Sequence, residues 1–101
     1  MNKEKYLLTK IQEECAEVIH RATKAVRFGL NEVQKGQDKT NLERLKDEIL
    51  DLLAAFMVFE EETSIDINYH DFEKFQELVK MRIERIEKYM DYSREIGELN
   101  D

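Results

Sequence analysis

Proline is absent from all 101 residues, and glycine occurs only at Gly29, Gly36 and Gly97. With chain breakers this scarce and Glu, Lys, Leu and Ile abundant, the composition is that of a helical protein. The expected class is all-α. Cys15 is the one cysteine, which excludes an intramolecular disulfide, and the N-terminal MNKEKYLLTKIQEE lacks the apolar core of a signal peptide. A reducing cytoplasm is the expected location. Basic residues are outnumbered, 16 against 23 acidic, for a net charge of −7. That field repels nucleic acid and anionic membrane, so neither is expected as a partner, and an anionic substrate would need metal ions or a local basic patch. Long hydrophobic runs are missing as well. The longest, residues 49–59 (ILDLLAAFMVF), is too short to span a bilayer and contains Asp51.

A chain of this length has room for a single domain, residues 1–101, with a modestly buried core that self-association would complete. Three helices are predicted, at residues 3–28, 40–62 and 69–96, with no repeat or low-complexity segment between them. In the first, Leu8, Ile11, Cys15, Val18, Ala22 and Val26 recur at helical spacing and Gly29 is placed to cap its end. Residues 30–39 (LNEVQKGQDK) read as a connector with room for one short turn, after which Thr40 and Glu43 offer a capping box. The third helix carries apolar residues at Phe72, Phe75, Leu78, Val79, Ile83, Ile86 and Met90 and stops at Gly97. The terminal ELND is expected to fray.

Glu13, Glu14 and Glu17 fall within about 100° of one another on a helical wheel and make one carboxylate patch. His20, Arg21 and Lys24 share that face, so by itself the patch reads as solvated charge. The second helix differs. With Glu48 at 0°, Asp51 falls at about 300°, among Leu45, Leu52, Ala55, Val58 and Phe59. Both carboxylates are therefore expected in an apolar face, and residues 49–59 are expected to be buried on most sides. A carboxylate there needs a cation, a metal ion or a raised pKa. One reading pairs Asp51 with Arg44, Arg82 or a lysine of another subunit; the other makes it a metal ligand. Two facing helices that present Glu14 with Glu17 and Glu48 with Asp51 could build an oxygen cage for a hard cation such as Mg²⁺.

At these residues the sequence resembles the MazG-like family of all-α nucleotide pyrophosphohydrolases. The family's E-E-x-x-E signature stands here as Glu13-Glu14-Cys15-Ala16-Glu17, and its E-x-x-D as Glu48-Ile49-Leu50-Asp51, on consecutive predicted helices and in the family's order. The likeness covers about residues 3–62, with a connector on the long side for the family. The resemblance implies Mg²⁺-dependent hydrolysis of a nucleoside triphosphate between its α and β phosphates, with deoxynucleotide house-cleaning as the expected role. It assigns Glu14, Glu17, Glu48 and Asp51 to the metal, and Glu13 to a further metal or to activation of the attacking water. It also implies an antiparallel helical bundle completed by a homodimer or homotetramer.

Lys24, Arg27, Lys80 and Arg82 are candidates for phosphate contact, each with solvated surface charge as the plainer reading. Glu17-x-x-His20 matches half of a di-iron signature, but no second such pair exists: His70 has no acidic residue three positions before it, and Asp51 follows Glu48 where histidine would be required. The alternative outside enzymology is an acidic helical interaction module that binds a partner through an apolar groove.

Overall fold

A computed structural model of the chain describes residues 1–67 and 72–101, with the Phe72 side chain also outside the description. It contains three α-helices, α1 (Lys3–Phe28), α2 (Asn41–Thr63) and α3 (Phe72–Glu95), and no strand among the described residues. The expected start of the third helix at Tyr69, and His70, lie outside them. The chain divides into two compact units, Met1–Ile65 and Asp66–Asp101. No described helix is long and apolar enough to cross a membrane.

In the first unit α1 and α2 form an antiparallel helical hairpin, with Lys3 at the start of α1 ion-paired to Glu62 at the end of α2 (3.0 Å). Asn2 caps α1, its side chain accepting from the Lys5 amide at 2.8 Å. Gly29, at φ 92°, turns the chain out of it, the region where a side chain would be strained. Thr40 and Glu43 make the reciprocal capping box that the sequence announces. The connector is better ordered than its composition suggests. Val33 and Thr40 form an isolated antiparallel bridge. Asn41 is 1% exposed, and its side-chain amide donates to the Gly29 carbonyl at 2.9 Å, tying the end of α1 to the start of α2.

Most of the apolar stripe expected faces inward, Ile11, Cys15, Val18 and Ala22 on α1 and Leu45, Leu52, Ala55 and Phe59 on α2, but it is offset at the two ends of α1. On α1 the inward line runs through Leu7, Ile11, Glu14, Val18, Arg21 and Ala25, whereas Leu8 and Val26 are exposed. On α2 it runs through Asn41, Leu45, Glu48, Leu52, Ala55 and Phe59. The expected burial of residues 49–59 on most sides is not met within the first unit. Ile49, Leu50, Leu53, Met57 and Val58 are exposed, because one neighbouring helix can cover only one face of α2.

In the second unit α3 ends at Glu95 and the chain turns away through Gly97 at φ 81°. The tail does not fray as expected. Glu98 and Leu99 donate backbone bonds to the Ser93 carbonyl (2.9 and 3.1 Å), and Arg94 reaches back to Asp101 at 2.7 Å. On its apolar positions Val79 is half-buried, while Phe75, Leu78, Ile83, Ile86 and Met90 are exposed.

Candidate functional site

The two inward lines bring Glu14 of α1 and Glu48 of α2 together, both half-buried, and Asp51 joins them one turn after Glu48. One carboxylate oxygen from each lies within 4.8 Å of the other two. None of the three is hydrogen-bonded or ion-paired to a described residue. Mutual repulsion among ions this close is about 1 kcal/mol per pair even at the dielectric constant of water. The Glu48 carboxyl is held above its ordinary value. Desolvation is the largest cause, followed by the charges of Asp51, Glu17 and Glu14, with Arg21 acting in the opposite direction.

Three carboxylate oxygens with no partner of their own are a donor set for a hard cation. Ligands of Mg²⁺ sit about 2.1 Å from the ion, hence at most about 4.2 Å apart. A spread of 4.8 Å therefore fits after a small closure of flexible side chains. The set does not distinguish Mg²⁺ from other oxygen-seeking divalent ions.

Other residues singled out by sequence are placed elsewhere. Glu17 is exposed; its charge reaches Glu48, but its oxygens are not part of the convergent group. Glu13 is exposed and ion-paired to Lys10 at 3.0 Å. Asp51 is exposed rather than buried, because it stands at the edge of the face that α2 presents to α1. The ion pair considered with Arg44 is not made, since that guanidinium donates to Gln34 at 3.0 Å. Lys24 and Arg27 lie over the Phe28 ring, 5.6 and 5.1 Å from its centroid, at the far end of α1. Lys80 and Arg82 are exposed on α3, where Arg82 donates to the Leu78 carbonyl.

Two features escaped the sequence reading. The first is Arg21 on the inward line of α1, whose Nη1 is shielded from solvent and has no hydrogen-bond acceptor. The second is an open groove of roughly 500 Å³ that shares Glu14 and Asp51 with the carboxylate group and continues along Tyr6, Lys10, Ala54 and Ala55. A signal for it existed: Tyr6, Lys10 and Glu14 repeat every four residues, and Ala54-Ala55 are the small residues in an otherwise bulky run. Comparison with protein-family models, with curated proteins and with solved structures gave no match.

Proposed function

We propose that the chain is a Mg²⁺-dependent nucleoside triphosphate pyrophosphohydrolase that releases a nucleoside monophosphate and pyrophosphate, with deoxynucleotides as the expected substrates. The observation that carries this reading is the convergence of Glu14, Glu48 and Asp51 without a hydrogen bond or ion pair to a described residue. It gains weight because the three belong to the two motifs, E-E-x-x-E and E-x-x-D, on which the resemblance rests.

In this reading Glu14, Glu48 and Asp51 hold the cation. Glu17, one turn from Glu14 on α1, swings in as a fourth ligand. Bound Mg²⁺ would supply charge neutralisation for the phosphates and lower the pKa of water near them. Glu13 must leave Lys10 before it can orient water or hold a second ion. No side-chain nucleophile is required. The exposed residues Ile49, Leu50, Leu53 and Met57 of α2 are proposed to be covered by further copies of the chain, as a homodimer or homotetramer. Those apolar residues also favour the alternative, a non-enzymatic interaction module, but that alternative gives no reason for three carboxylates to converge.

Incubation with a panel of ribo- and deoxynucleoside triphosphates plus Mg²⁺ tests the reading. Monophosphate and pyrophosphate are expected as products. Diphosphate with inorganic phosphate, or no turnover of any triphosphate, would overturn it.

A further inference from the structure

We infer that the groove beside the carboxylate group takes the nucleoside half of the triphosphate, with Tyr6 as the stacking surface for the base and Ala54 and Ala55 as its floor. The inference rests on the hydrolase reading and goes beyond it by fixing the direction in which the substrate lies. Glu14 and Asp51 line both the groove and the carboxylate group, so a phosphate held there delivers whatever it carries into the groove.

The chemistry changes along the groove in the order such a ligand needs. Carboxylates stand at one end. Lys10, one turn before Glu14, stands next, and its ammonium lies 5.9 Å from the centre of the Tyr6 ring. Tyr6 is one turn further, about 12 Å from Glu14 along the helix axis at 1.5 Å per residue. The opposing wall from α2 is Ala54, Ala55 and Val58 beside Asp51, with the two alanines as its least bulky stretch, where a flat ring would lie. Tyr6 is 54% exposed, so its ring is not committed to the core, although Lys10 stands over one of its faces. Lys10 is bonded to Glu13; release of that bond would free the ammonium for the phosphate nearest the sugar. At roughly 500 Å³ the groove has the capacity of a small-molecule site.

Calorimetric titration with α,β-methylene nucleoside triphosphates in the presence of Mg²⁺ measures binding without cleavage. Inorganic tripolyphosphate, which has no nucleoside, serves as the comparison ligand. The variants are Tyr6→Ala and Ala54→Leu, both at exposed positions where the fold has little at stake. Removing the ring should weaken the nucleotide analogue roughly tenfold, the usual scale for one base on one aromatic ring, and filling the floor should weaken it at least as much. Tripolyphosphate affinity should stay at the parent value for both. If the analogue binds both variants as tightly as the parent, or if the variants change the size of the particle in light scattering and leave affinity alone, the groove is not the nucleoside site. If the analogue depends on Tyr6 and Ala54 while the natural triphosphate yields no pyrophosphate, the groove stands and the hydrolase reading falls.

Discussion

At the scale of single residues, the account turns on carboxylates held close together without partners. Asp51→Asn keeps the shape of the side chain and removes one of three converging charges, so turnover should fall by orders of magnitude. Since Asp51 is exposed and engages no described cation, the metal-free variant should melt at or above the parent temperature. A variant that melts well below the parent yet keeps normal turnover would remove Asp51 from the site. Glu48 gives a second test through pH. Its folded pKa lies above the ordinary value of 4.5, so in the window between the two the folded state binds more protons than the unfolded state. Stability of the metal-free protein should therefore decline as pH rises above about 4.5 through that window. Glu43, whose pKa is lowered by its bonds to Thr40, acts only below 4.5 and in the opposite direction. Melting curves of Glu48→Gln should lose the decline; a slope identical to the parent's would contradict it. Local spacing pairs Glu14 with Glu17 and Glu48 with Asp51, and the resemblance joins the two pairs; of these four, Glu17 lies outside the convergent group. The exposure of Asp51 in the single chain was not legible, since the width of a buried face depends on how many neighbours cover it.

At the scale of elements, helix ends were legible and helix faces less so. Gly29 and the Thr40–Glu43 box act through bonds to residues three or four positions away, so the sequence contains both partners. The inward line of α1 passes through Leu7 rather than Leu8 and Ala25 rather than Val26; either register satisfies an apolar periodicity, and the packing of α2 decides between them. Glu14 and Arg21 lie on the same inward line. Asn41 was invisible for a related reason, as its partner is twelve residues away across the connector. Loss of the cap in Thr40→Ala should cost about 1 kcal/mol. Asn41→Ala should cost more, on the order of 1–3 kcal/mol, because it leaves the Gly29 carbonyl without its donor beside a fully buried position. Urea denaturation of the two variants would check that order; an Asn41→Ala midpoint at or above that of Thr40→Ala would contradict it.

At the scale of the whole molecule, the apolar residues of α2 have more surface than α1 covers. Leu7 and Phe59 are the buried apolar side chains among the described residues, while Ile49, Leu53 and Met57, spaced by four along α2, remain exposed. Association into a dimer or tetramer is the expected remedy, and light scattering at micromolar concentration should return a multiple of 12.1 kDa. A stable monomer at that mass would contradict it. The sequence could suggest this shortage but not the partner, because its remedy lies on another copy. The central claim, that Glu14, Glu48 and Asp51 await a divalent cation, is tested most directly by melting the metal-free protein against increasing Mg²⁺. The account predicts a saturable rise in melting temperature, worth about 2.7 kcal/mol at a hundred times the dissociation constant, that KCl of matched ionic strength does not reproduce and Asp51→Asn greatly reduces. A melting temperature indifferent to Mg²⁺, or raised equally by KCl, would contradict it.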